Sequence, residues 1–429
     1  MTTRRAVLHA AALAPILTAC APNTVFGASS QLRIAVPWSG SELSAFRKVL
    51  TDTGTERGVA VLPLGDDIDT ALVTRGRSAP DLIMLPEVGR IDALAGSVLR
   101  AFPDTLWQDG TGPRYPDVWR NLVWHRGALY AIPFKSAYKS LIWYDRQAFG
   151  GADPARWPLD QWRDRVAEVS ARRPFALGGA DGWVLADLFG NILHSRSRRA
   201  YRRLAVQGAV ESGQERKWDS LPVRASMRRM AELCAPAGTF PGGIAGALTS
   251  QFPDSVRAVF EHRAAAAVMA PDFAEPIVRS CLRRSRRSPE VVGVMPFQAF
   301  AAGHRPPVIG AGDVLVATTS ARRDVMPVVA ALSAPGAVSG WIADYGGFLA
   351  PSTRTVTDHP PLLDPVAGQL RSWTDFDLAD LLGTAGRRDG LWRALTDLLV
   401  TVGDGHPERI DSAVERAVRT LEDFDGGIR

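Results

Sequence analysis

The chain reads as an α/β protein of two lobes, on three observations. Its first hundred residues past a leader alternate apolar strand-like runs with helical ones in a βαβαβ order, the mark of a parallel sheet. Strand character then fades through a mainly helical middle and returns in the last third. About 400 residues past the leader exceed what a single hydrophobic core organises. A hydrophobic content of 46% is enough to fill two such cores.

The elements follow in order. Arg4 and Arg5, an apolar run over residues 6–17 and a small-residue end at Cys20 make residues 1–19 an export leader. The run is too short for a membrane span, which needs roughly 20 apolar residues. Residues 20–30 are mostly small and polar, as a tether is, and the fold begins at Gln31. A strand is expected at 32–36, and Ser39-Gly40-Ser41-Glu42 opens a helix carrying Leu43, Phe46, Val49 and Leu50 on one face. Further strands are expected at 59–64 and 81–85, with a helical stretch at 68–73 between them. Arg126-Gly127 marks a hairpin, and β-rich runs follow at 128–133 and 140–144. From 160 to 288 the pattern is helical, broken by strand candidates near Phe175 and at 264–269; strands return at 291–295 and 314–318. Helices close the chain at 390–400 and 408–424, the latter with Ile410, Val414, Val418 and Leu421 at helical steps.

Charge excludes little. The net charge is +5, and removing the two leader arginines leaves +3. Arginine-rich stretches at 196–203 and 283–287 read as solvated faces behind an export leader, so no nucleic-acid partner is expected. Cys234 and Cys281 could pair outside the cell or stay as buried thiols, and spacing does not decide between them. No zinc-protease, nucleophile-elbow or phosphate-loop motif occurs, so no metal, cofactor or catalytic residue is expected. The rival from the enzyme class is a secreted glycosidase, which needs only two well-placed carboxylates.

An ordered series of segments carries a family resemblance: APDLIMLPEVG at 79–89, LYAIPFKSAYKSLIWY at 129–144, DGW at 181–183, 264–273, GAGD at 310–313, 341–350 with its GGF, and FDLAD at 376–380 before Leu391-Trp392. In this order the chain resembles the extracellular solute-binding proteins of bacterial ABC sugar importers, in particular the lipoprotein group (family 1) that includes alpha-glucoside binders. Leu17-Thr18-Ala19-Cys20 resembles a lipobox, and residues 3–8 resemble a twin-arginine signal. The resemblance implies a two-lobed periplasmic-binding-protein-like (type II) fold with a ligand cleft between lobes. It divides the chain into lobe 1 at 31–137 plus 308–335 and lobe 2 at 138–307 plus 336–429, with crossings near 136–140, 306–312 and 333–339. It also implies importer permease subunits as partners, a monomer, and a lipid anchor at Cys20 on the outer face of the cell membrane after Tat or Sec export.

A sugar presents many hydroxyls and flat C–H patches, so its site needs carboxylates, lysines and aromatic faces. The expected ligand contacts follow strand ends, where open α/β sheets bind. They are Trp38, Ser39 and Glu42 after the first strand, then Glu87 and Lys135. Asp181, Trp183, Asp272 and Phe273 are expected from the second half, with Gly312, Asp313, Tyr345, Gly346 and Gly347 completing the cleft. Ser39 and Glu42 could instead form a capping box, Asp181 an N-cap and Tyr345 part of the core. Trp392 reads as helix packing, although it and the Arg387-Arg388 pair could reach the cleft. A neutral disaccharide such as an alpha-glucoside suits this inventory; a glycerophosphodiester and an amino or acidic sugar are the alternatives.

Overall fold

The computed structural model describes residues 31–427 apart from 207–216, 300, 302, 322 and 356–358. Cys20, the leader and the whole tether lie outside the described residues.

The first sheet begins with the expected βαβαβ unit. Strand Leu32–Val36 pairs in parallel with Val59–Pro63 on one side and Leu82–Leu85 on the other. The helix Gly40–Asp52 buries Phe46, Val49 and Leu50, the face that helical spacing marks out. Leu82–Leu85 is buried at every position, as an interior strand covered on both faces must be. Val314–Thr318 then joins antiparallel to Leu82–Leu85 and also accepts Ala131–Pro133 and the short Leu99–Arg100. A late segment thus completes the sheet begun by the N-terminal third.

A second sheet has the order Arg173–Ala176, Ala265–Met269, Leu141–Asp145, Val292–Pro296. Its core strand, three alanines with Val268 and Met269, is wholly buried between helices. The helices are those expected between 160 and 288, among them Gly182–Arg196, buried along most of its length. The C-terminal helices Leu391–Val402 and Ile410–Gly427 pack on this half, burying Ile410, Val414, Val418 and Leu421.

Between the two stands a three-stranded sheet of Ala137–Tyr138, Ile309–Ala311 and Asp375–Phe376. The first two strands occupy the first two expected crossings. The third expectation needs correction: residues 333–339 do not leave the first half. The helix Ser339–Tyr345 rests on Gly40–Asp52, where Lys48 meets Asp344 at 3.8 Å, and the chain next meets the junction at Leu349, bonded to Ser136 through both backbone groups. The junction strand also corrects the reading of the first arginine cluster. Arg198 and Arg202, with His194, converge on Asp375, so these two arginines tie a helix to the junction. Cys234 and Cys281 are both free and buried.

Candidate functional site

A cavity of about 260 Å³ opens between the two main sheets, beside the junction strands and at the C-terminal ends of Leu32–Val36 and Leu82–Leu85. Ligands of open α/β sheets bind at such strand ends.

One end is built around Lys135, which follows the strand Ala131–Pro133. Its Nζ donates to Glu42 Oε1 at 2.8 Å and lies 3.7 Å from Asp313 Oδ2. Asp313 also accepts from Trp38 Nε1 at 3.1 Å. The ammonium sits 4.8 Å from the Trp341 ring centre and 5.0 Å from that of Phe348, so aromatic faces reinforce the carboxylates. Burial works against the Lys135 charge, but Glu42 and Asp313 outweigh it and raise its pKa. Backbone fixes the geometry: the amides of Phe134 and Lys135 both donate to the Asp313 carbonyl. Gly312 permits this approach, because a Cβ there would fall 1.9 Å from the Lys135 carbonyl oxygen.

The floor is a denser cluster. Lys139 Nζ lies 3.1 Å from Asp187 Oδ1 and 3.0 Å from Asp377 Oδ2, and 5.2 Å from the Trp183 ring centre. Burial disfavours the Lys139 charge, yet Asp187 and Asp377 hold its pKa above the ordinary lysine range. Burial disfavours the Asp377 charge, yet Lys139 outweighs it and keeps its pKa below the usual value. Burial and then the Asp377 charge push Asp380 up, and Asp187 moves up on burial with Asp377 against the pull of Lys139. The cluster therefore favours one ionised carboxylate facing one ammonium, with Asp187 and Asp380 leaning to the protonated form, able to donate as well as accept.

Glu87 closes the third side. The turn after Leu82–Leu85 aims its carboxylate at Arg387, and Arg90 Nη1 stands 3.3 Å away. Gly89 lets this turn lie against the helix Leu378–Leu382, since a Cβ would meet the Asp380 carbonyl oxygen at 2.4 Å. Aromatic surface comes from Trp183, packed against Phe252 and Phe273 at 5.0 and 5.7 Å between ring centres, and from Trp392.

Of the expected contacts, Trp38, Glu42, Glu87, Lys135, Trp183, Phe273, Gly312 and Asp313 line the cavity. Six do not. Ser39 is exposed and makes no cap bond, and Glu42 reaches Lys135, so the capping box does not form. Asp181 accepts from the Phe252 amide at 2.6 Å, bracing a loop outside this cavity. Asp272 is sealed beneath the surface, where burial pushes its pKa up to about 8 against the pull of the Tyr138 and Phe273 amides and of Lys135. Tyr345, Gly346 and Gly347 turn away: the Tyr345 carbonyl accepts from Arg279, and the two glycines pack beside Glu275 and Pro276. Trp392, read as packing, does reach the cavity, as does Arg387.

The sequence reading missed Lys139, Asp187, Asp377 and Asp380. Two had a signal. Residues 135, 137 and 139 share a face of an extended chain, so a cleft-facing Lys135 brings Lys139 with it. Asp377 and Asp380 stand three apart around a short helix, the spacing of one face. Asp187 sits on a helix apolar nearly all round, and nothing in that pattern marks it.

No family model matches the chain. Among curated proteins it is 22% identical to the osmoprotective compounds-binding protein GgtB of Synechocystis sp., over 94% of this chain and 96% of that one. It is 24% identical to the alpha-glucosides-binding periplasmic protein AglE of Rhizobium meliloti, over 53% of this chain and 52% of that protein. A shorter match, 26% identical over 25% of this chain and 26% of the other, is to an ABC transporter extracellular-binding protein of Pyrococcus horikoshii. The chain is a homologue of ABC-importer solute-binding proteins. These relatives of the solute-binding family are binding proteins, not enzymes. The fold agrees: the open form of the binding protein msme of Bacillus subtilis superposes with a TM-score of 0.68, at 17% identity over 92% of this chain and 98% of that one.

Proposed function

We propose that the chain is the capturing component of an ABC importer and that its ligand is a small neutral carbohydrate, a disaccharide or alpha-glucoside. The observation that carries the neutral ligand is charge pairing. Each cation lining the cavity already faces a carboxylate: Lys135 faces Glu42, Lys139 faces Asp187 and Asp377, and Arg387 faces Glu87. An anionic ligand would have to displace one of these partners, whereas hydroxyls can add to them. The aromatic surfaces of Trp183, Phe273, Phe348 and Trp392 supply apolar faces for sugar C–H groups.

In this reading the ligand draws the lobes together and excludes water, which strengthens each polar contact. The first lobe is taken as 31–137 with 308–345, extended past 335 because the helix Ser339–Tyr345 rests on it; the second holds the remainder of the fold. A monomer anchored through Cys20 on the outer face of the cell membrane then passes the ligand to the permease subunits. The Leu-Thr-Ala-Cys sequence supports the anchor. A thermal-shift screen over neutral disaccharides, glycerophosphodiesters, and amino and acidic sugars tests the ligand class. Neutral sugars should raise the melting temperature; stabilisation by charged ligands alone would overturn the proposal. Mass spectrometry of the membrane-extracted protein should find a diacylated Cys20 as the first residue.

A further inference from the structure

Outside the cleft, the helix Arg198–Ala205 turns two unlike faces to its surroundings. Ala200, Tyr201 and Leu204 are buried, and the Tyr201 hydroxyl donates to the Phe376 carbonyl of the junction at 2.7 Å. Arg198, Arg199, Arg202 and Arg203 are all exposed, and their steps of one and four residues put them on one side of the helix. With Val206 they line an open hollow of about 400 Å³, and no carboxylate among the described residues shares that lining.

Two of these arginines are held in place. The buried Asp375 accepts from Arg198 Nε and from Arg202 Nε, each at 2.5 Å. Each guanidinium is thus fixed through its inner nitrogen, and its outer Nη groups donate to no protein acceptor among the described residues. Arg199 and Arg203 have no ion pair among the described residues. Four guanidiniums therefore meet one carboxylate, and like charges four apart on a helix repel, so the face gains when an anion joins it. The arginine-rich stretch at 283–287 is built differently: there Arg284 pairs with Glu261, and Arg287 with the buried Asp145.

We infer that this hollow binds a phosphate group, free in the medium or carried as the headgroup of an anionic lipid. A guanidinium matches phosphate geometry by donating two parallel N–H bonds to two of its oxygens. Asp375 orients two such groups before the anion arrives, and Arg199 and Arg203 stand beside them with nothing to displace. The site is separate from the sugar cavity, with which it shares no residue.

The test uses the chain from residue 20 onward, made without its leader so that no acyl group holds it to a membrane. Calorimetric titration with inorganic phosphate and pyrophosphate reads the free source. Co-sedimentation with phosphatidylglycerol-containing vesicles, against vesicles of phosphatidylcholine alone, reads the lipid source. The parent is compared with Arg199→Ala/Arg203→Ala and with a charge-matched control, Arg283→Ala/Arg286→Ala, whose two arginines are exposed and without an ion pair among the described residues. At about 0.15 M salt the parent should bind in at least one arm. The first double variant should bind at least about tenfold more weakly at an unchanged melting temperature, the size expected of lost charge-assisted hydrogen bonds, and the control should bind as the parent does. Binding of phosphate or pyrophosphate assigns a soluble ligand; binding of phosphatidylglycerol vesicles alone assigns the lipid headgroup. Equal losses in the two double variants, no loss in the first, or a parent that binds no probe overturns the site.

Discussion

The two ends of the cavity use the same residue type four positions apart and put it to different use. Lys135 meets Glu42, whose side chain is 50% exposed, and the pair faces the open mouth. Lys139 meets Asp187 and Asp377, whose side chains are 2% and 4% exposed, under the floor. A buried lysine whose carboxylate partner is half in water exchanges that partner more easily, and the pair is worth less to stability. A pair closed off from water is costly to break from one side, because the remaining charge has nowhere to go. The mouth is thus the adaptable half of the site, where ligand hydroxyls share the Glu42–Lys135 pair, and the floor is the fixed half that holds the junction strands and Trp183 in place.

The sharpest way to break this contrast is to remove each ammonium in turn. Lys139→Met leaves three buried carboxyls without their cation and should cost about 3 to 5 kcal/mol in urea unfolding. Lys135→Met should cost clearly less stability and show mainly as weaker ligand binding. Equal losses would erase the distinction.

Asp272 probes the apolar bed under both ends. Its folded pKa of about 8 lies above the unfolded value of about 3.9. Folding therefore favours its protonated form: its contribution is complete below about pH 4 and is lost as pH rises to about 8. Asp272→Asn should flatten the fall in stability across that range, so the variant gains on the parent most above pH 8. Parallel pH profiles would show that Asp272 is not the group responsible.

Trp183→Ala should weaken ligand binding by about 1 to 3 kcal/mol with the fold retained. Glu87→Ala should lose stability as well, since it removes the buried carboxylate that both Arg387 and Arg90 face. A Glu87 variant with unchanged melting temperature would return that residue to a purely ligand-facing role. Smallest of all, Ser39→Ala should change neither stability nor affinity by more than about 0.5 kcal/mol, because the hydroxyl makes no cap bond.

What the sequence disclosed follows the range of its signals. Period and apolarity act locally, so the strands around Ile34, Ile83 and Val316 and the helix through Val414 and Val418 were legible. Strand ends marked by proline and glycine led to Glu87 and Asp313, because a turn there leaves a side chain at the sheet's edge. Long-range convergence was not legible. Asp187 and Asp377 meet at Lys139 from segments 190 positions apart, and no local pattern encodes the meeting. Asp181 and Asp272 misled for a related reason: each stands at a helix start beside an aromatic residue, and only the packing around them decides that one braces a loop and the other is sealed in.

The most direct test of the account is calorimetric titration of a neutral oligosaccharide at low and at high salt. With every lining cation already facing a carboxylate, the affinity should hold constant as salt screens charge. Binding confined to charged ligands, and weakening steeply with added salt, would contradict it.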